Sequence, residues 1–234
     1  MKILCLDTTT ARFGVSVSRG EKLLYEDISS PRQASHAQYL PQCLKGAITE
    51  AGFSSVQDLD AVGVVVGPGS FTGLRIGLSV AKGLAFAQNI PLLAIDGLEA
   101  LAMSVSKSFD YIVPLIDAKK SQVYTTIYKV NHKGNTRLTE PVSVLPEDVP
   151  FPENGEICCI GDGALLYQAI FSRILQHRGH FLPESENYIS PAIMAKIAFQ
   201  KFQEGDLKTA DSLTAMYIRR SDAEIRRDCK RVFE

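Results

Sequence analysis

The chain of 234 residues is long enough for one large domain or two small ones sharing a core. Its 45% hydrophobic and 22% charged residues fit a globular protein, and a net charge of −1 argues against strong independent binding to nucleic acid, which needs a basic face. No apolar run reaches the length of a membrane span, and Asp7 arrives too early for a signal-peptide core. Five cysteines without a CxxC pair point to reduced, buried thiols in the cytoplasm.

In chain order, Lys2 to Asp7 reads as an apolar strand ending in an acid, followed by Thr8, Thr9 and Thr10. Phe13, Val15 and Val17 alternate with Gly14, Ser16 and Ser18, which predicts a second strand, and Lys22 to Ile28 a third, in an antiparallel meander. Ser35 and Gln38 form a capping-box pattern, so a helix starts there and runs through Leu40, Leu44, Ala47 and Ile48 to Gly52, with Pro41 bending it or delaying its regular start.

The stretch from Ala61 to Gln88 organises this half. Val62–Val66 is a buried-type strand, Gly67, Pro68, Gly69 and Gly73 make a loop, and a helix rich in small residues follows. Such a loop can present backbone N–H groups to an anion, or it can let two segments pack closely. It is neither a Walker A loop, because Leu74 and Arg75 stand after Gly73, nor a GxGxxG fingerprint. Arg75 can pair with an anion or with a neighbouring acid. An anion-binding vestige would use Asp7, Gly67, Gly69, Ser70, Thr72, Gly73 and Arg75. A strand at Ile90–Ile95 and a helix at Asp96–Ser104 complete the half.

The pattern then restarts. Tyr111–Ile116 ends at Asp117, an alternating stretch spans Val123 to Val130, and His132–Asn135 is a turn. Pro141–Asn154 reads as a loop. Ile157–Ile160, Gly161-Asp162-Gly163 and a helix from Ala164 echo the earlier strand, glycine loop and helix, which implies an internal duplication. A helix from Ser190 to Glu204 follows. The prediction is an α/β fold of two halves, residues 1–106 and 107–234, each with a mixed β-sheet and flanking helices. Asp7 and Asp117 each end a strand, where a carboxylate accepts backbone N–H bonds. The four histidines do not form a metal site, and no nucleophilic triad is visible. From Arg219 to Arg231, six basic residues are offset by three acids, giving either a solvated face or an RNA contact that needs a partner's added charge.

GPGSFTGLRIG, together with the DTT start, SHAQYLP, IDGLEALA and IDAKKSQVY, closely resembles the bacterial TsaB family, non-catalytic relatives of the enzyme TsaD. The resemblance covers the whole chain. It implies an actin-like (ASKHA) fold and a scaffold role in making threonylcarbamoyladenosine beside the tRNA anticodon, in complex with TsaD and the ATPase TsaE. It implies no cofactor, tRNA contacted only through the complex, and a homodimer when the chain is alone. TsaD-type relatives hold a metal through an HxExH pattern; here the matching positions are Gly97, Glu99 and Leu101, so no metal is expected. The resemblance places the partner contact on the helices from Ser35 and Leu74, with Leu40, Leu44, Gly73, Gly77, Leu78, Val80, Ala81 and Ala85 as candidates. On that reading Gly77→Leu weakens partner binding and leaves the monomer folded. The alternative is an actin-like ATP-binding enzyme using the Asp7 hairpin and the Gly67–Gly73 loop. A third reading is an interaction protein with another TsaD-like partner, or a homodimer alone.

Overall fold

The computed structural model describes residues 1–29, 36–106, 108–132 and 134–219. The capping box at Ser35 and the charged tail from Arg220 lie outside the described residues.

The first half runs β1 (Lys2–Asp7), β2 (Phe13–Arg19), β3 (Lys22–Ser29), α1 (His36–Glu50), β4 (Ala61–Gly67), α2 (Phe71–Gln88), β5 (Leu92–Asp96) and α3 (Gly97–Ser104). Its sheet has the order β3-β2-β1-β4-β5, antiparallel across the meander and parallel from β1 to β5. The second half runs β6 (Tyr111–Lys119), β7 (Gln122–Thr125), β8 (Tyr128–Asn131), β9 (Gly134–Arg137), β10 (Val142–Val144), β11 (Ile157–Ile160), α4 (Asp162–Leu166), α5 (Gln168–Leu175), β12 (Gly179–Phe181) and α6 (Pro191–Glu204). Its sheet has the order β10-β7-β6-β11-β12, with β8 paired to β6 and β9. β6, β7, β11 and β12 therefore repeat the pairing of β1, β2, β4 and β5. The duplication read from sequence is a repeat of topology.

Period-two alternation sorts the strands into layers. Leu4, Leu6, Val62, Val64 and Val66 face Leu40, Leu44, Leu78 and Ala81 of α1 and α2. Ile3, Cys5, Val65 and Ile95 face α3 and α6. Ile112, Ile116, Cys158 and Ile160 of the second sheet join that same cluster, while Val113, Leu115 and Cys159 turn to α4 and α5. The layers are thus α1/α2, first sheet, α3/α6, second sheet, α4/α5. Each large apolar side chain buried there contributes about 1.5–3 kcal/mol.

The boundary at 106/107 separates the two sheets, but not what packs on them. α6 lies against β1, β2 and β5, and Gly14 and Gly63 of the first sheet give it room: an added Cβ at Gly63 would stand 3.3 Å from Ala198. Beyond α6 the chain stays with the first half: the Lys208 N–H donates to Leu92 O at 2.8 Å and the Met216 N–H to Val66 O at 2.7 Å. Residues 191–217 therefore belong to the first half in space. The stretch from Val123 to Val130 is not one strand. Thr126 and Ile127 interrupt it, so that β7 pairs with β6 and β10 and β8 pairs with β6 and β9. The stretch from Pro141, read as loop, contributes β10 as an edge strand.

Candidate functional site

The two halves face each other across a cleft of about 490 Å³. One wall is the threonine turn after β1 and the glycine loop before α2; the other is the end of β6 with the start of α4. Asp7 is buried, and its Oδ1 accepts the Thr9 N–H at 2.8 Å and the Thr9 hydroxyl at 2.7 Å. That turn folds the Thr8 and Thr9 carbonyls into the concave side of the glycine loop. Ser70 N–H donates to Thr9 O at 2.8 Å. A Cβ on Gly69 would stand 2.5 Å from Thr9 O, and one on Gly73 only 1.9 Å from Thr8 O. Ser70 Oγ caps α2 by accepting the Gly73 N–H at 3.3 Å. The threonine turn packs directly on the Cα atoms of Gly69 and Gly73, so these two glycines serve close packing. Gly67, with φ +128°, is approached the same way by Met216 O. Thr72 and Ser70 are exposed to the cleft; Arg75 is exposed outside its lining, with no ion pair among the described residues.

On the opposite wall Asp117 Oδ1 accepts the Lys119 N–H at 2.8 Å, and Lys119 Nζ pairs with its other oxygen. Asp162 Oδ1 accepts the Asp117 N–H at 3.0 Å. Burial, with the charge of Asp117 added, holds the Asp162 carboxyl above its usual range. Gly161 and Gly163 approach Leu115 O as Gly69 and Gly73 approach the threonine turn, with Cβ positions 2.2 and 2.9 Å away. At the rim, Tyr217 stacks on Phe71 with centroids 4.9 Å apart, and Arg219 Nη1 donates to Gln122 Oε1 at 3.1 Å. Sequence reasoning missed Asp162 and Arg219 as cleft residues, because each reaches the cleft only through tertiary contacts.

The α3 positions that the resemblance matched to metal ligands carry no ligating side chain. Gly97 has no side chain, and a Cβ there would lie 3.3 Å from Gly67 O; Leu101 is in the apolar core. Asp96 instead caps the helix, accepting the Leu98 and Glu99 N–H groups at 2.8 and 3.2 Å, and pairs with Arg137. Burial first, and the charge of Asp96 second, raise the pKa of Glu99.

The expected partner ridge is corrected by the packing. Leu40, Gly73, Gly77, Leu78, Ala81 and Ala85 are buried inside this chain, and a Cβ on Gly77 would stand 2.4 Å from Thr8 Oγ1. The small residues bring α2 onto its own sheet. Two residues further along the helix, about 200° around it, Ser79, Gly83 and Ala87 form an exposed ridge with the same four-residue spacing. An added Cβ at Gly83, or at Gly46 on α1, meets nothing within 4 Å. Of the expected residues, Leu44 and Val80 line an apolar groove of about 390 Å³ between α1 and α2, together with Pro41, Ile48, Val56 and Leu84. The four-residue repeat was the available signal for both ridges, but spacing alone does not say which one faces the sheet.

The duplicated halves and the cleft between them define an actin-like fold. Residues 29–204 match the TsaD family, described as tRNA N6-adenosine threonylcarbamoyltransferase. The chain belongs to that family, and within it is of the TsaB kind. It is 26% identical to the tRNA threonylcarbamoyladenosine biosynthesis protein TsaB of Bacillus subtilis (strain 168), over 96% of both chains. It is 26% identical to the protein of the same description from Escherichia coli (strain K12), over 95% of this chain and 96% of the other. Among solved structures, an uncharacterized Pseudomonas aeruginosa protein described as similar to peptidase YEAZ superposes with a TM-score of 0.78 at 25% identity, covering 93% of this chain and 99% of that one.

Proposed function

We propose that this chain is an accessory subunit in the formation of threonylcarbamoyladenosine on tRNA, and that it binds a TsaD-like catalytic chain through the outer face of α1 and α2. The observation that carries this reading is the end-to-end match to relatives named for that pathway. The apolar groove and the open positions at Gly46 and Gly83 support helix-on-helix docking, because small residues let two backbones approach. A TsaE-like ATPase joins the assembly, tRNA is met through the complex, and the same face pairs two copies when the partner is absent. Among the described residues no helix is long and apolar enough to cross a membrane; the reading places the chain in the cytoplasm.

Reconstituted tRNA modification with a TsaD-like and a TsaE-like protein, with and without this chain, tests the proposal. Modification that depends on the chain supports it, and full modification without the chain overturns it. One observation favours a second reading, nucleotide binding: the cleft remains open and lined by Asp117, Lys119 and Asp162. Calorimetric titration of the isolated chain with ATP and Mg²⁺ separates the two readings, since the scaffold reading expects no micromolar binding and no turnover.

A further inference from the structure

We propose that the β8–β9 hairpin is a strap that holds the two halves at one angle and so sets the width of the cleft. β8 is fixed to the second sheet by pairing with β6, Tyr128 opposite Ile112 and Lys129 opposite Tyr111. β9 stands outside it and grips both ends of α3. Asn135 Nδ2 donates to Ala102 O at 3.0 Å near the C-terminal end, and Arg137 Nη2 pairs with Asp96 at the N-cap. Asn135 and Arg137 are two residues apart, so they share one face of the strand.

Arg137 is held in place before it reaches Asp96. Its Nε and Nη2 donate to Tyr128 OH at 3.0 and 2.6 Å. The pair is 32% and 12% exposed, sheltered enough to escape most of the screening that weakens surface ion pairs. The apolar contacts of α3 with the second sheet are individually non-directional. The strap's hydrogen bonds are directional and act at two points along one helix.

Both cleft walls connect to it. Asp96 is opposite Gly67 in the β4–β5 ladder, and Gly67 opens the loop that carries Gly69 and Ser70. β6, to which β8 is paired, ends at Asp117 and Lys119. Releasing Arg137 therefore frees both walls to move relative to each other.

Hydrogen exchange by mass spectrometry on the full chain tests this. Arg137→Met is expected to speed exchange about tenfold in both cleft segments, 67–72 and 117–122, while β1–β3 and α5 keep wild-type rates. Arg137→Lys, which keeps the charge and loses the double contact with Tyr128, falls between. Exchange that changes only within β9 and α3 overturns the proposal and leaves the hairpin as local packing. If Arg137→Met does not fold, Asn135→Ala is read in the same segments with the ion pair intact: faster cleft exchange supports the strap, and unchanged exchange contradicts it.

Discussion

Gly73 of α2 lies so close to the carbonyl of Thr8 that a β-carbon would stand 1.9 Å from its oxygen, and the Thr8 hydroxyl donates to Gly73 O at 2.7 Å. This contact ties the turn after the first strand to the start of the helix.

Substitution here acts on stability. Gly73→Ala forces the threonine turn and α2 apart and costs about 3 kcal/mol, at the upper end for overpacking a core. Gly77→Leu collides with Thr8 Oγ1 and is at least as damaging, so it does not leave the monomer intact as a surface substitution would. Chemical denaturation compares them with Gly83→Ala, which points into open space and is expected to stabilise the helix by about 0.5–1 kcal/mol.

Partner binding follows the other side of the same helix. Gly83→Leu and Val80→Asp are expected to keep the fold and weaken association with a TsaD-like chain at least tenfold, about 1.4 kcal/mol. Isothermal titration calorimetry measures this, with circular dichroism to verify folding. Wild-type affinity in both variants would remove the α1–α2 face from the interface.

Much of this arrangement was legible in the sequence. The apolar run Lys2–Asp7 reads directly as a strand, and the repeated strand–acid–hairpin pattern at Asp7 and Asp117 anticipates the paired topologies of the two sheets. The strand-end role of Asp7 also follows from local chemistry, because Thr9 supplies its donors two residues away. The phase of α2 was not legible: Gly73–Gly77–Ala81–Ala85 and Ser79–Gly83–Ala87 have the same period, and only the sheet decides which is buried. The return of α6 to the first sheet was hidden for a related reason. Its apolar stripe fits either half, and the choice depends on room left by Gly14 and Gly63, far away in sequence.

The cleft gives a pH signature. Asp162 sits above the ordinary value of 3.8, chiefly through burial. The folded chain therefore keeps its proton at pH values where the unfolded chain has released it, and stability falls as pH rises from 3.8 through the folded value. Asp162→Asn removes the charge and retains an acceptor for the Asp117 N–H. Its denaturation midpoint should exceed the wild type's at pH 7, with the gap closing as pH falls towards the carboxylate range. A constant gap across that range would contradict this origin.

Thiol chemistry tests the layering. Cys5, Cys158 and Cys159 are buried between the layers, and burial pushes the Cys5 thiol up to about 12. Cys43 on α1 is half-buried. Alkylation under native conditions, mapped by mass spectrometry, should modify Cys43 and leave Cys5, Cys158 and Cys159 intact until the chain unfolds.

The most direct test of the accessory role is the rate of tRNA threonylcarbamoyladenosine formation by a TsaD-like and a TsaE-like protein, measured with no added chain, with the wild type and with Gly83→Leu. Modification is expected with the wild type, little without it, and a loss in the variant that is recovered at high concentration. Equal rates in all three reactions would contradict that role.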